Sequence, residues 1–475
     1  MFEDGLIYQE ARMATESEIK GDLQYFDIYD ETMVSKGGPI LWNEKGMLYT
    51  DPGESHTLIV GDTGSGKTQG VILPLIYSCT RAEESMVLVD PKGELVRRME
   101  PYLKSKGYKT IVLNFRQPHK SKDKWNPLGY VEQAYKRGQH DEAQMQLNDL
   151  LERLFHKRSS ADKDKYWNES AGLFGEGCFE LSRKLGEELS IKNLLRWRYE
   201  RLPNGTMQSC YENLPHDSKA FQSLSGYFGL TAENTKTCIL STFDQLIRLF
   251  KASTALTNML SASSFDLDAI GFEKTAVFLV VPDEKTTLHF LAILFIGQCY
   301  EILLKEAEKY KGKLPRKVNF ILEEFCNMPK LNDIGPMLTA ARSRNIRFHL
   351  VIQSYNQLID KYNENIAKLL IDNCGNLIYL HSREQSFLMY LSEMAGNNEY
   401  GRPLLSTSRL QHLQKNEMVI FHNRCYPFIT KNIPRMYEYP IYEKWMSDAM
   451  IDKYTFSERT NKKSEPVQGI RKRKV

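Results

Sequence analysis

Short runs of apolar, often β-branched residues recur along the chain and are separated by stretches with helical periodicity. The runs are TLIV (57–60), MVLVD (86–90), TIVLNF (110–115), TAVFLVV (275–281), VNFILEE (318–324), FHLVIQ (348–353), NLIYL (376–380) and MVIF (418–421). Nearly continuous apolar character is typical of strands that are covered on both faces. Because helical stretches separate most of these strands, the pattern predicts an α/β fold with a central, mostly parallel sheet.

The strand pattern stops between about residues 134 and 250. Leu147, Leu150, Leu151 and Leu154 fall on one helical face, and amphipathic segments continue around 167–185 and 235–249. We therefore expect an all-α domain to be inserted into the α/β domain.

These patterns predict the following division of the chain: a polar N-terminal segment at 1–55, irregular or with short strands; the α/β domain at 56–135 and 250–440; the all-α domain at 136–249; and a partly disordered tail at 441–475. The tail ends in NKKSEPVQGIRKRKV, and its basic residues suggest a solvated end, with contact to phosphate or a lipid surface as the alternative.

Composition excludes several classes of protein. Lys and Arg number 63 against 60 Asp and Glu, so any nucleic-acid surface must be local. The eight cysteines form no Cys-x-x-Cys pair, which favours free thiols in a reducing cytosol. The first residues contain no signal peptide, and the longest apolar stretch, at 290–304, is shorter than the roughly 20 residues of a membrane span. Neither a zinc-hydrolase motif nor a Gly-x-Ser-x-Gly motif is present.

A phosphate-binding loop follows the first of these strands. The motif G-x-x-x-x-G-K-[ST] is matched by Gly61, Asp62, Thr63, Gly64, Ser65, Gly66, Lys67 and Thr68. Backbone N–H groups of such a loop point at phosphate oxygens, while the lysine reaches the β and γ phosphates and the threonine hydroxyl binds Mg²⁺. The alternative is an ordinary strand-turn-helix junction that requires glycines. Since an apolar strand precedes the loop and the apolar helix QGVILPLIY follows it, we expect ATP and Mg²⁺ to bind here.

Acidic residues end a second strand. Because the metal ion must also be held from the side opposite the threonine, we expect Glu323 to hold Mg²⁺, through a water molecule, and Glu324 to polarise the attacking water. The alternative is a charged strand end that is exposed in a loop. Aspartate is the usual first acid, so Glu323 is one methylene longer than expected.

Three further candidate residues flank the strand FHLVI. Gln353 ends this strand, where it could sense the γ-phosphate. Arg342 and Arg344 precede the strand, and in ring-shaped motors an arginine reaches the nucleotide of the neighbouring subunit. We favour Arg342 as this arginine finger; Arg344 in that role, or structural roles for both, are the alternatives.

Several segments resemble the type IV secretion coupling proteins, the TraG/TraD-like conjugative ATPases. They are ARMATESEIKG, GDTGSGKT, VLVDPKGEL, WNPL, KYWNESAGLF, SFDLDAIG, FILEEFCNMPKL, ARSRNIRFHLVIQSYNQLIDKY and RPLLSTSRLQHLQKNEMVIF, which occur in family order. The resemblance implies a RecA-like ATPase domain with an all-α domain that meets the relaxase or another substrate. It also implies a hexamer around a central pore, acting with single-stranded DNA, relaxosome proteins and a type IV secretion channel. Asp90 and Lys92 match the family, and we interpret them as part of a structural turn.

The chain departs from the family pattern in two ways. Family members typically carry a transmembrane hairpin before the ARMAT-like segment, and this sequence begins only a few residues upstream of it. Either a separate membrane partner recruits a cytoplasmic chain to the inner face of the membrane, or an anchor precedes the first residue. We expect the isolated chain to be monomeric or weakly associated. The second departure is Glu323 in place of aspartate.

Three functions remain open from the sequence. The first is an ATP-hydrolysing coupling protein that recruits relaxase-bound DNA and drives its transfer to the channel. The second is a nucleotide-gated substrate adaptor with little turnover. The third is an FtsK/HerA-like DNA translocase, for which the short basic C-terminus offers no room for a DNA-reading winged helix.

Overall fold

The computed structural model describes residues 11–155, 165–448 and 450–451. The chain divides into two compact units. One contains the described residues up to Val112 and from Leu267 onward, and we call it the nucleotide unit; the other, Leu113–Asp266, is the helical unit.

The strands of the nucleotide unit correspond closely to the apolar runs of the sequence. The strands are β1 (Gln24–Asp27), β2 (Ile40–Glu44), β3 (Met47–Thr50), β4 (Thr57–Gly61), β5 (Ser85–Asp90), β6 (Lys109–Asn114), β7 (Thr275–Val280), β8 (Val318–Leu322), β9 (Ile346–Ile352), β10 (Asn376–His381), β11 (Met418–His422) and β12 (Phe428–Thr430). Each of the eight predicted runs forms one of the strands β4 to β11. In the predicted polar segment, β1, β3 and β2 form a small antiparallel sheet.

Within the described residues, a nine-stranded sheet has the order β12-β11-β10-β4-β9-β8-β5-β7-β6. From β10 to β7 each neighbouring pair is parallel, whereas β11 and β12 add antiparallel strands at one edge. Strands β4, β5, β7, β8 and β9 are buried along their whole length. This burial on both faces explains their continuous apolar sequences and confirms the predicted fold class.

Helices cover this sheet. In the nucleotide unit the α-helices are Glu16–Gly21, Leu73–Arg81, Glu94–Ser105, His289–Lys309, Ile334–Ala341, Tyr355–Tyr362, Glu364–Asn373, Gln385–Ala395, Thr407–Gln411 and Pro440–Trp445. The last of these lies in the predicted tail; the basic end of that tail is outside the described residues.

One helical stretch in the described part of the chain, Thr286–Lys309, is long and apolar enough to cross a membrane by length and composition. However, 67% of its most apolar window is buried inside the structure. Leu291, Phe295 and Leu303, for example, are fully buried. The core helix of a globular domain shows the same burial.

The helical unit contains the helices Gly129–Lys136, His140–Phe155, Lys165–Lys184, Ile191–Arg196, Thr206–Glu212, Lys219–Phe228, Glu233–Leu246, Arg248–Ala252 and Thr254–Met259. Its two most closely packed helices cross at Gly177, where an added Cβ would lie 2.4 Å from the Leu224 side chain. Phe174 and Phe243 pack edge to face nearby, with ring centroids 5.0 Å apart.

The helical unit is longer than the 136–249 segment that the helical pattern marks. Trp125 N donates to Met259 O at 3.0 Å, and Asn126 Nδ2 donates to Leu189 O at 2.7 Å. These hydrogen bonds join the WNPL segment to the helices. Such long-range contacts leave no periodicity in the sequence, which is why the pattern does not include the flanking segments.

Candidate nucleotide-binding site

The phosphate-binding loop leaves the carboxyl end of β4, at the centre of the sheet. Gly64 and Gly66 adopt φ values of +83° and +96°. Residues with a Cβ rarely adopt this backbone conformation, so the loop requires glycine at both positions. A π-helical turn, Thr68–Ile72, follows and continues into the buried helix Leu73–Arg81.

Lys67 folds back over the loop. Its ammonium donates to the carbonyl oxygen of Gly61 and, at 3.1 Å, to that of Asp62. Burial lowers the pKa of Lys67, while the charges of Glu324 and Glu323 oppose this shift. A buried cation that faces two carboxylates and the glycine loop has the chemistry to bind a phosphate group.

Glu323 lies beside the loop because β8 is separated from β4 only by β9. The Thr68 hydroxyl donates to Glu323 Oε1 at 3.0 Å. Burial and the charge of Asp90 raise the pKa of Glu323 to about 8. A hydroxyl in contact with a carboxylate at this edge matches the oxygen ligands that Mg²⁺ prefers.

Glu324 adopts a left-handed backbone conformation with φ +53°, which is uncommon for a residue other than glycine. Because of this turn, the adjacent side chains of Glu323 and Glu324 point in different directions. Gln353 Nε2 donates to both carboxylate oxygens of Glu324 at 2.7 Å, and Thr63 Oγ1 donates to Gln353 Oε1 at 3.1 Å. The structure thus brings Glu324 and Gln353 to the phosphate-binding loop.

The two candidate arginines lie elsewhere. Arg342 and Arg344 form the turn that precedes β9, whereas Gln353 follows it. Seven strand residues span roughly 20 Å. Both arginines therefore lie at the amino-terminal ends of the parallel strands, whereas the loop of their own chain lies at the carboxyl ends. Arg344 Nη1 donates to Ala340 O at 2.8 Å. Arg342 is exposed, and its side chain makes no hydrogen bond or ion pair with any described residue.

Sequence reasoning gave no chemical role to Asp90, which ends β5 next to Glu323. Its Oδ2 accepts a hydrogen bond from the N–H of Val96 at 2.9 Å, at the start of helix Glu94–Ser105. Its Oδ1 is buried without a hydrogen-bond partner. Burial raises the pKa of Asp90 to about 6. The rule that carboxyl ends of parallel strands meet at one edge could have placed Asp90 here, once the strand order was known.

His381, at the end of β10, was also missed. Its Nδ1 lies 2.8 Å from Oδ2 of Asp62, and its backbone carbonyl accepts from Asp62 N at 3.0 Å. These two contacts fix the first turn of the loop. No sequence motif marks His381, because β10 and β4 are neighbours only in the folded sheet.

The arrangement fits a nucleoside triphosphate with Mg²⁺. The glycine loop and Lys67 supply donors for phosphate, while Thr68 and Glu323 supply oxygens for the metal ion. Among the described residues, no group of three His, Cys, Asp or Glu side chains could hold a metal ion alone.

The fold and this loop define a RecA-like P-loop NTPase fold. A family model described as "Type IV secretory system Conjugative DNA transfer" matches residues 4–416, and the chain belongs to this family. Protein VirD4 of Rhizobium rhizogenes is 24% identical over 420 residues, which cover 84% of this chain and 58% of that protein. Protein VirD4 of Agrobacterium fabrum is 22% identical over 388 residues, 78% of this chain and 54% of that protein. The chain therefore spans little more than half the length of these relatives.

Among solved structures, the plasmid coupling protein TrwB in complex with the ATP analogue ADPNP matches with a TM-score of 0.63 and 16% identity, covering 89% of this chain and 93% of that chain. VirB4 of Thermoanaerobacter pseudethanolicus matches with a TM-score of 0.51 and 11% identity, covering 84% and 97%. At these identities the likeness shows the fold, and it confirms the predicted RecA-like class.

Proposed function

We propose that this chain is an ATP-hydrolysing coupling protein of a conjugative type IV secretion system. It recruits relaxase-bound DNA and drives transfer of the DNA to the channel. The observation that carries the ATPase part is the 3.0 Å contact between Thr68 and Glu323 beside the glycine loop. Family membership supports the conjugative role, and structures of TrwB with ADPNP and with ADP and Mg²⁺ share this fold.

In this proposal the N–H groups of the loop and the Lys67 ammonium bind the β and γ phosphates. The Thr68 hydroxyl and the Glu323 carboxylate hold Mg²⁺. When bound, ATP supplies the phosphoanhydride bond whose hydrolysis releases the free energy for movement. Lys67 is suited to its role because a buried ammonium neutralises phosphate charge more strongly than an exposed one.

Glu324 orients and polarises the attacking water, and Gln353 holds the Glu324 carboxylate. The two hydrogen bonds from Gln353 fix this carboxylate at the rim of the loop. Because Gln353 also contacts Thr63, a change at the γ-phosphate can reach Glu324 through one side chain. This linkage supports a sensing role for Gln353.

Arg342 acts on the nucleotide of a neighbouring subunit in a hexamer. Its position, remote from the loop of its own chain, excludes a role in its own site and leaves its guanidinium free for a neighbour. Arg344, by contrast, donates to the carbonyl of Ala340. Arg342 is therefore the better candidate for the arginine finger.

The helical unit meets the relaxase or its associated proteins, and single-stranded DNA passes through the pore. We propose the cytoplasmic face of the membrane, beside the secretion channel, as its site of action; a VirD4 protein of Bartonella quintana carries the name type IV secretion system-coupling protein. The protein works there through a membrane partner or through its own anchor.

ATPase activity with and without single-stranded DNA tests this function. We expect DNA to stimulate the wild type. Glu324→Gln should lower the turnover number by about 100-fold or more while nucleotide still binds, and Lys67→Ala should lose binding. A negligible rate in every condition would contradict the motor and favour a nucleotide-gated adaptor.

Mixed oligomers test the arginine finger separately. Lys67→Ala and Arg342→Ala subunits should each be nearly inactive alone. A mixture contains interfaces at which an intact Lys67 meets an intact Arg342. Its ATPase activity should therefore exceed the sum of the activities of the two variants measured separately. Arg344→Ala is the matched control and should retain most activity. A mixture that stays as inactive as its components would rule out action between subunits.

A further inference from the structure

An arginine far along the chain lies against the phosphate-binding loop. The short helical turn Met436–Glu438, which follows β12, packs against the π-helical turn Thr68–Ile72. The residue before it, Arg435, is half-buried. Its guanidinium lies so close to Gly66 that a Cβ added there would be 3.0 Å from Nη2, 3.1 Å from Nη1 and 3.2 Å from Cζ.

The local structure holds Arg435 in a defined orientation. Its Nε donates to Asn416 Oδ1 at 2.8 Å, and its backbone N–H donates to Glu438 Oε2 at 2.7 Å. The next residue, Met436, is fully buried, and so is Tyr439 apart from 2% of its surface. The side chain is therefore anchored at both its backbone and its Nε, with the outer end of the guanidinium directed at the loop.

The outer nitrogens of this guanidinium are available. Neither Nη1 nor Nη2 makes a hydrogen bond or an ion pair with any residue that the structure describes. These two nitrogens carry four N–H donors in a planar fork that suits phosphate oxygens. The adjacent residue in the loop is Lys67, so two cationic groups converge on one loop. Such an arrangement favours an anion of high charge density between them.

We propose that Arg435 binds the phosphate chain of the nucleotide from within the same subunit. This inference rests on the proposed nucleotide-binding function and adds a ligand that the P-loop motif does not contain. Arg435 complements Lys67: the lysine approaches from within the loop, and the arginine approaches over Gly66. The φ of +96° favours glycine at position 66, and the guanidinium reaches into the space where a Cβ would project.

Equilibrium binding of a non-hydrolysable ATP analogue and of ADP, each with Mg²⁺, tests this assignment. We expect Arg435→Ala and Arg435→Gln to raise the dissociation constant about tenfold or more, since the lost hydrogen bonds are charge-assisted. Arg435→Lys should fall between these variants and the wild type, because it keeps the charge but loses the fork. The melting temperature without nucleotide should stay near the wild-type value for Arg435→Lys and Arg435→Gln.

The matched control is Arg424→Ala. Arg424 is exposed and follows β11. Because His422 at the end of β11 pairs with Asn376 at the start of β10, Arg424 lies at the amino-terminal ends of the parallel strands, away from the loop. Its removal changes the net charge equally but should leave the dissociation constant within about twofold. Inorganic tripolyphosphate has no base or ribose. Its inhibition constant, measured by competition with nucleotide, should rise in the Arg435 variants by the same factor as the dissociation constant of the nucleotide.

Each outcome decides the assignment. Wild-type affinity in the Arg435 variants, with binding lost in Lys67→Ala, would overturn the role of Arg435 alone. Weaker nucleotide binding with an unchanged inhibition constant for tripolyphosphate would place Arg435 at the base or ribose and overturn a phosphate contact. A wild-type protein that binds no nucleotide would overturn both this assignment and the proposed function.

Discussion

Gln353 donates to both carboxylate oxygens of Glu324 at 2.7 Å. This paired contact joins the ends of β8 and β9, two neighbouring strands that point to the same edge of the sheet. It also holds a residue in a strained backbone conformation, because Glu324 has φ +53°. Strain at a position held by its surroundings is common at catalytic sites.

We expect Gln353→Glu to lower the ATPase turnover number by about 10- to 100-fold, since a second carboxylate would repel the Glu324 carboxylate from its position at the loop. Gln353→Ala should have a smaller effect, because it removes the two hydrogen bonds without adding a charge. Steady-state ATPase rates check this prediction, and the dissociation constant of the nucleotide should change by no more than about threefold.

The control is Gln357→Glu, an exposed position on the following helix, Tyr355–Tyr362. It introduces the same charge on the same segment and should leave the rate unchanged. Equal losses in Gln353→Glu and Gln357→Glu would show that the contact with Glu324 has no part in turnover.

Glu323→Gln tests the proposed metal-binding role. The variant keeps the side-chain length and can still accept from the Thr68 hydroxyl, but it cannot lose a proton to give the carboxylate charge that binds Mg²⁺. We expect the Mg²⁺ concentration that gives half-maximal ATPase activity to rise about tenfold. Glu324→Gln provides the contrast: it should lower the maximal rate and leave the half-maximal Mg²⁺ concentration nearly unchanged. If both variants shift it alike, the division of roles between the two acids is wrong.

A buried ion pair below the site provides a stability prediction. The Arg347 side chain on β9 is 1% exposed; its Nη2 lies 2.7 Å from Glu84 Oε2 and donates to Gly37 O at 3.0 Å. Its Nε donates to Asn319 Oδ1 at 2.9 Å. Arg347 thus connects the central sheet to the N-terminal segment of the nucleotide unit.

Arg347→Met should destabilise the protein by about 3–5 kcal/mol, because it leaves the buried Glu84 carboxylate without its main partner. Urea unfolding followed by circular dichroism measures this loss. Arg12→Met is the control, since the pair of Arg12 with Glu18 is exposed, and its midpoint should be nearly that of the wild type. A shift no larger than that of the control would contradict a stabilising role for the buried network.

His56 predicts an acid-sensitive contribution to stability. Its Nδ1 accepts from Phe348 N at 2.9 Å and its Nε2 lies 2.7 Å from Leu338 O, so the ring is neutral. Burial lowers the pKa of His56 to about 4. Because the folded state takes up this proton less readily than the unfolded state, the contribution is complete above pH about 6.5 and is lost as the pH falls towards 4.

Between pH 7.5 and 5.5 this one group should cost the wild type roughly 1.4 kcal/mol of unfolding free energy. His56→Asn removes the titrating group but can still accept from Phe348, so its stability should fall less over the same interval. The exposed His412→Asn serves as control and should follow the wild type. Identical pH dependence in His56→Asn and the wild type would show that His56 does not contribute.

Local patterns in the sequence were sufficient for much of the fold. The apolar runs mark β4 to β11, because a strand buried on both faces must be apolar along its length. The glycine loop was equally visible, since φ values above +80° at Gly64 and Gly66 require glycine. The sequence analysis also named Glu323 as the acid opposite Thr68, and the two side chains are in contact at 3.0 Å in the structure; the role of Glu323 as a metal ligand stays a prediction.

By itself, the sequence determined the class of fold, the phosphate-binding loop and the family resemblance, since these depend on residues that are close together along the chain. Only the tertiary structure decided that Asp90, His381 and Arg435 lie at the site, and that Arg342 lies at the opposite edge of the sheet. The order β10-β4-β9-β8-β5 sets the positions of Asp90 and His381, and packing of the turn Met436–Glu438 against Thr68–Ile72 sets that of Arg435. That order follows from packing between distant segments, which has no periodic signature in the sequence.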